Sequence, residues 1–313
     1  MTELFSKPSP EDVLRSIRRC FPDLGATSVS LLGEGWDSWA YDAAGCVFRI
    51  PKHDYTVRSQ AKERRLMPRL AKLLPLPVPD MEFACSDGPN GHAFVGHRRI
   101  SGVPLSGLPS FRSAALGPAL GRFLRALHSV PVSEHEAAFG DSEHAKDYGT
   151  EPLERIGQLY ERVIRMVFPL ISREGREVTK ESFETFLAEP SNFDYDKCIV
   201  HGDIGGGHVL VNPTRRELTG IIDFGDAWPG DPAADFVWLA GGSLGRALGE
   251  EGINSAIEAY GTEARRFEGR ARFYRSLYPY HSVIGGIELR DEGILQDGLR
   301  ALAEIGRRRE PWR

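Results

Sequence analysis

Two short runs carry the residues best suited to chemistry. The first is Cys198-Ile199-Val200-His201-Gly202-Asp203-Ile204-Gly205-Gly206-Gly207-His208-Val209-Leu210-Val211, and the second is Leu218-Thr219-Gly220-Ile221-Ile222-Asp223-Phe224-Gly225-Asp226. In each, an apolar β-favouring stretch ends in an acid. Strand ends and the loops after them are where a rigid scaffold presents functional groups. Residues Asn212-Pro213-Thr214-Arg215-Arg216 read as a hairpin turn joining the two runs. Hairpin strands lie about 5 Å apart, so Asp203, His208 and Asp223 are expected to meet in one cleft. Phosphoryl transfer needs such a set. One carboxylate orients the attacking hydroxyl and takes its proton, a second holds Mg²⁺ against nucleotide phosphates, and a third residue completes the metal shell.

The spacing sharpens this reading. His-x-Asp followed five residues after the aspartate by a metal-site residue, and then by Asp-Phe-Gly, is the protein-kinase arrangement. Here Asp203, His208 and Asp223-Phe224-Gly225 occupy it, with histidine at the asparagine position. His208 reads either as an Mg²⁺ ligand or as a group that orients the aspartates, because Mg²⁺ prefers oxygen. His201 reads as a buried prop of the loop. Upstream, Gly33-Glu34-Gly35-Trp36-Asp37-Ser38 is a glycine turn between two strands. Its bare backbone N–H groups suit anionic oxygens, which makes Gly33, Gly35 and Ser38 candidate phosphate contacts. Arg49 on the following strand stands where a cation would grip the α and β phosphates. Glu63, in the next helix, stands where its partner would be.

The elements that must position these groups follow from periodicity. Residues 11–21 place Val13, Leu14, Ile17 and Phe21 at helical spacing. Residues 29–50 read as three strands of an antiparallel meander. Residues 59–74 form a strongly charged helix whose residues 60–72 are most simply a solvated face. The proline-rich 73–80 is a connector and 93–100 a strand. From residue 117 the chain turns helical, with Leu120, Phe123, Leu124 and Leu127 in one stripe. Residues 151–188 and those from 231 onward add further helices. The chain has 313 residues, and its 44 acidic against 39 basic residues give a net charge of −5, which argues against nucleic acid as a partner. Cys20, Cys46, Cys85 and Cys198 have no paired spacing and read as neither a disulfide framework nor a zinc site. The start lacks a signal-peptide pattern, and no apolar run is long enough for a membrane span, so a cytoplasmic protein with no membrane partner is expected.

Seven segments in order resemble the aminoglycoside phosphotransferase superfamily, and within it the aminoglycoside 2″-phosphotransferases. They are GEGWDSWAY (33–41), VFRIPKH (47–53), LLPLPVPD (73–80), ISGVPLSG (100–107), FLRALHS (123–129), HGDIGGGHVLV (201–211) and GIIDFGDAWPGDPAADF (220–236). The resemblance implies an α+β, protein-kinase-like two-lobed fold. Residues 1–97 would form a small β-rich lobe covering the nucleotide. Residues 98–313 would form a large, mainly helical lobe, with a hinge at 97–100, a catalytic β segment at 198–226 and a helical substrate subdomain at about 130–190 and 236–313. It implies transfer of the γ-phosphate of ATP or GTP to a hydroxyl of a small-molecule antibiotic by a monomer using Mg²⁺. Asp203 matches the catalytic base and His208 and Asp223 the Mg²⁺ residues. His97, Arg98 and Ile100 match the segment that receives the nucleotide base.

Three positions depart from the family pattern. Arg49 replaces a lysine, although arginine keeps its charge and can grip phosphate bidentately. The stretch WLAGGSLGRALG (238–249) lacks the acid cluster that holds a polycationic drug. Gly205-Gly206-Gly207 is unusually bare. Asp235, Glu288, Asp291 and Glu292 remain as candidate substrate acids. The competing readings are a macrolide phosphotransferase, a small-metabolite kinase of the same fold, and a kinase-fold binding protein without turnover.

Overall fold

The structure is a computed structural model, and it describes residues 5–140 and 152–308. Residues 141–151 of the expected helical subdomain, and the outer ends of both expected lobes (1–4 and 309–313), lie outside the described residues. Helix α1 (Pro10–Cys20) starts where the Ser9 side chain accepts from the Asp12 N–H, with Pro10 in the first turn, a sequence-coded N-terminus. The meander follows as β1 (Ser30–Glu34), β2 (Ser38–Ala43) and β3 (Cys46–Pro51). With β4 (Phe83–Cys85) and β5 (Phe94–Arg98) it builds an antiparallel sheet in the order β1-β2-β3-β5-β4. Trp39, Tyr41, Phe48, Ile50 and Phe94 are buried against Val13 and Ile17 of α1, each contributing about 1.5–3 kcal/mol of apolar burial.

Helix α2 (Asp54–Leu73) packs against β3 and β5 of this sheet. Its Leu66, Met67 and Leu70 join the main core with Leu120, Phe123, Leu124 and Leu127 of α3 (Gly117–His128). The same core takes in β7 (Cys198–Val200), β8 (Val209–Asn212) and β9 (Glu217–Ile221). A short α4 (Glu136–Phe139) precedes α5 (Pro152–Met166) and α6 (Arg173–Ala188). After β10 (Trp228–Gly230) come 3₁₀ turns over Pro232–Ala240, then α7 (Gly242–Tyr260), α8 (Glu268–Ser276), α9 (Tyr278–Leu289) and α10 (Glu292–Arg308). Helices α5, α6, α8, α9 and α10 share a third core around Phe183, Phe186, Phe273 and Tyr280. No helix among the described residues is long and apolar enough to cross a membrane.

Three sequence expectations are corrected here. The hairpin at 212–216 joins β8 to β9, with Leu210 opposite Gly220. The strand before His201 instead pairs with β10. Asp203 therefore sits in the loop between β7 and β8, and His208 and Asp223 are the residues at the hairpin's open end. The helix read as a solvated face is not one: Gln60, Lys62 and Glu63 are buried. Cys20 and Cys85 are joined as a disulfide, because α1 packs at the β4 edge of the sheet and brings together positions 65 apart in sequence.

Candidate active site

The loop from His201 to His208 is held mainly by backbone hydrogen bonds. The N–H groups of His201 and Gly202 both donate to the Asp235 carboxylate at 2.8 Å. His128 of α3 donates to the same carboxylate through Nε2 at 3.0 Å. Asp235 is fully buried. Burial opposes its ionisation, but the His128 hydrogen bond and the His201 backbone N–H outweigh that and hold its carboxyl below the usual aspartate range. The expectation that Asp235 meets a substrate is thus corrected: it anchors the loop from beneath. Gly202 has φ +85°, and a Cβ there would run into the Trp228 ring and the Asp226 carbonyl, so only glycine fits. Of the three bare glycines, Gly206 is a close approach, where a Cβ would run into the Ser243 side chain.

His201 is fully buried. Its Nε2–H donates to the Ile222 carbonyl at 3.0 Å, and its Nδ1 accepts from the Asp203 N–H at 3.3 Å. Burial lowers its pKa and keeps it neutral. The ring thereby ties the Asp203 loop to the strand end that carries Asp223. His208 donates Nδ1–H to the Asp203 carbonyl at 2.7 Å. That bond fixes which nitrogen is free: Nε2 points at Asp223 Oδ2, 3.8 Å away. The Asp203 side chain keeps 45% of its exposure and that of Asp223 keeps 44%, so both carboxylates open to the cleft.

Asp223 has φ +66°, a left-handed conformation that costs a non-glycine residue on the order of 1 kcal/mol or more. Arg49 of β3 reaches it, Nη2 to Oδ1 at 3.0 Å, while Nη1 binds Glu63 Oε2 of α2 at 2.7 Å. One planar guanidinium spans two carboxylates, which a single ammonium does less well. Burial works against the charge of Arg49, but Asp223 and Glu63 outweigh it and raise its pKa. Burial likewise works against an ionised Asp223, and Arg49 and then His208 hold its carboxyl below the ordinary range. Desolvation pushes the buried Glu63 upward despite Arg49. Two groups that sequence reasoning missed stand beside these. Asp226 is pushed up to about 7 by desolvation and by Asp203. Lys62 of α2 is wholly buried under the Asp223 loop.

The remaining candidates are more dispersed. Gly33 lies on β1 and Gly35 donates to the Ser38 carbonyl at 3.0 Å. Ser38 is buried, its hydroxyl facing Gln60 Nε2 at 3.4 Å. Trp36 is 53% exposed at the tip of this turn and approaches Gly285 of α9. His97 is buried on β5 and donates Nδ1–H to the Arg98 carbonyl at 2.8 Å. The Arg98 side chain is exposed and pairs with Glu82. A cavity of about 290 Å³ opens beside Arg98 and Ile100, walled by Pro77, Asp80 and Thr219, and none of Asp203, His208 or Asp223 lines it. Glu288 pairs with Arg162 at 2.6 Å, Asp291 Oδ1 accepts from Ile294 N–H at the start of α10, and Glu292 accepts from Gln296.

Burial lowers the pKa of His97. The folded protein then binds fewer protons than the unfolded chain below the ordinary histidine value of about 6.5, so stability falls as pH drops through that range. Thermal melting from pH 7 to pH 5 should therefore show a smaller loss for His97→Gln than for the parent.

Mg²⁺ binds through one or two carboxylates, keeps several waters and shares substrate phosphates. The donor set fits this: Asp223 Oδ1 is taken by Arg49, while Oδ2 faces the cleft. No group of three side chains among the described residues forms a closed metal cage, and such a site needs none.

A phosphotransferase enzyme family model matches residues 28–274. The chain belongs to that family. Its members transfer phosphate to hydroxyl groups of antibiotics, and this chain is a kinase-fold phosphotransferase with an alcohol group as acceptor. Two solved structures bear out the resemblance to aminoglycoside 2″-phosphotransferases. The GDP complex of an aminoglycoside 2′-phosphotransferase-IIIa is 27% identical with a TM-score of 0.81, over 95% of this chain and 98% of that one. A GDP and kanamycin complex of an APH(2″) enzyme is 28% identical with a TM-score of 0.79, over 93% and 96% of the two chains. The macrolide 2′-phosphotransferase MphH from Brachybacterium faecium shares the fold at 20% identity and a TM-score of 0.64, over 88% of this chain and 91% of that one.

Proposed function

We propose that this family member transfers the γ-phosphate of ATP or GTP to a hydroxyl of an aminoglycoside. The observation that carries the reading is the convergence of Asp203, His208 and Asp223 with the Arg49–Glu63 pair. Residues 1–97 cover the nucleotide, 98–313 hold the acceptor, and 97–100 form the hinge whose backbone at His97, Arg98 and Ile100 receives the base. Gly33, Gly35 and Ser38 cover the phosphates, and Arg49 neutralises them while Glu63 holds its guanidinium. Asp223, with His208 orienting it or sharing the site, would hold Mg²⁺, which would offset the charge of the transferring group. Asp203 accepts the proton of the acceptor hydroxyl as its oxygen bonds to the γ-phosphorus. The bond to the bridging oxygen breaks and a nucleoside diphosphate leaves. Kanamycin in the complex of a 28% identical relative supports the acceptor class. The enzyme acts as a cytoplasmic monomer with no nucleic-acid or membrane partner.

A macrolide or small-metabolite acceptor is the second reading. One observation favours it: residues 238–249 carry Arg246 and no acid, and the Arg275 guanidinium lies against Gly242. The test is a phosphate-transfer assay with both nucleotides against an aminoglycoside panel and a macrolide panel. Magnesium-dependent transfer to an aminoglycoside is expected. Transfer to macrolides alone, or to neither panel, overturns the proposal.

A further inference from the structure

We propose that Lys62 is a positioning residue for the phosphoryl-transfer site: its buried ammonium gathers the Gly225 and Ala227 carbonyls and so holds Asp223 in its left-handed conformation. This rests on the reading of Asp223 as the Mg²⁺ carboxylate.

Lys62 donates Nζ–H to the Gly225 carbonyl at 2.5 Å and to the Ala227 carbonyl at 2.8 Å. Ser59, one helical turn earlier on α2, donates to the same Gly225 carbonyl at 2.8 Å. The two contacts straddle the turn that follows Asp223, in which Ala227 N–H bonds back to the Phe224 carbonyl. On the other side, His201 holds the Ile222 carbonyl. The backbone is thus clasped both before and after Asp223, while Arg49 holds its carboxylate. Strained backbone persists only where its surroundings over-determine it, and Lys62 supplies the charged part of that restraint on the α2 side.

The chemistry of the position argues against a purely structural role. A fully buried ammonium is costly, and an apolar side chain of similar volume is usually as stable or more so. No carboxylate hydrogen-bonds Lys62 among the described residues: Glu63 and Asp226 favour its charge through space, and its hydrogen bonds go to carbonyls. Its hydrogen bonds are thus directed at the backbone next to Asp223. Glu63, its neighbour on α2, serves the same carboxylate through Arg49. One helix thus sets Asp223 twice, from the backbone and from the side chain.

The test compares Lys62→Met, which keeps the apolar stem, with Lys62→Arg, Ser59→Ala and an exposed control on the same helix, Lys72→Met. Affinity for ATP and GTP is measured with and without Mg²⁺, together with kcat, KM and the melting temperature. In Lys62→Met, kcat should fall about 10–100-fold, the scale of a lost hydrogen bond to a charged group. The Mg²⁺-dependent gain in nucleotide affinity should shrink by a similar factor, with Mg²⁺-free affinity and acceptor KM held within about threefold. Lys62→Arg should restore part of both, and Ser59→Ala should lose about 3–10-fold in kcat, the scale of a neutral hydrogen bond. Lys72→Met should match the parent. If Lys62→Met does not fold, Ser59→Ala and Lys62→Arg decide the matter by the same readouts. Parental kcat and Mg²⁺ dependence in a folded Lys62→Met overturn the proposal, as does a parent whose nucleotide affinity ignores Mg²⁺. Failure of the parent to phosphorylate any antibiotic overturns the acceptor assignment instead, and the nucleotide-binding measurements still decide on Lys62.

Discussion

Asp203→Asn should lower kcat by about 10²–10⁴-fold, the range for loss of a positioned general base, while the protein stays folded. The geometry separates the two effects. The fold grips residue 203 through its backbone: the N–H donates to His201 Nδ1 and the carbonyl accepts from His208 Nδ1. The side chain itself is 45% exposed, and its nearest ionic neighbour is His208 Nδ1 at 3.4 Å, already committed to the carbonyl. Asparagine is nearly isosteric, so the loop keeps its shape and loses the proton acceptor. Nucleotide affinity and acceptor KM should stay within a few-fold, because a group that acts in the transition state moves kcat and kcat/KM together. Steady-state kinetics beside a melting curve decide it. A folded variant with turnover within threefold of the parent would show that the proton leaves by another route.

Much of this site is legible in the sequence because its chemistry is local. The spacing from Asp203 to His208 and the Asp223-Phe224-Gly225 run places the acids on loops beside strands, whatever the rest of the fold does. Arg49 and Glu63 follow from one strand and one helix whose periodicities are clear, and they meet at 2.7 Å. The pairing of β7 is not legible, because its partner Trp228-Pro229-Gly230 contains a proline and a glycine and reads as a turn. The buried face of α2 is hidden for a different reason. Gln60, Lys62 and Glu63 look solvent-loving by type, and only the tertiary position of the Asp223 loop gives Lys62 its two carbonyls. Asp235 shows the limit most sharply: twelve residues after Asp223 it looks like one more acid for a cationic substrate, and only burial reveals its role.

Asp235→Ala should be the most destabilising single change at the site. The carboxylate accepts from His201 N–H, Gly202 N–H and His128 Nε2, all within 3.0 Å, and has no exposure to water. Truncation leaves two amides and an imidazole without an acceptor. Breaking a buried charged network by removing one partner costs about 3–5 kcal/mol, against a total stability of roughly 5–15 kcal/mol. Urea unfolding at pH 7 should show the midpoint falling with little change in slope. Glu288→Ala, which removes only the exposed partner of Arg162, should stay within about 0.5 kcal/mol of the parent. The pH dependence carries a sign as well. Asp235 titrates lower in the folded protein than in the unfolded chain. Its contribution is therefore complete above the ordinary aspartate pKa of about 3.9 and is lost as pH falls through the folded value. The gap in stability between parent and Asp235→Ala should narrow below about pH 4. A gap that stayed constant into that range would mean the residue contributes by packing alone. The same variant separates anchoring from substrate binding: loss of the anchor frees the His201–Gly202 backbone and lowers kcat per folded molecule, whereas a lost substrate acid would raise acceptor KM with kcat unchanged.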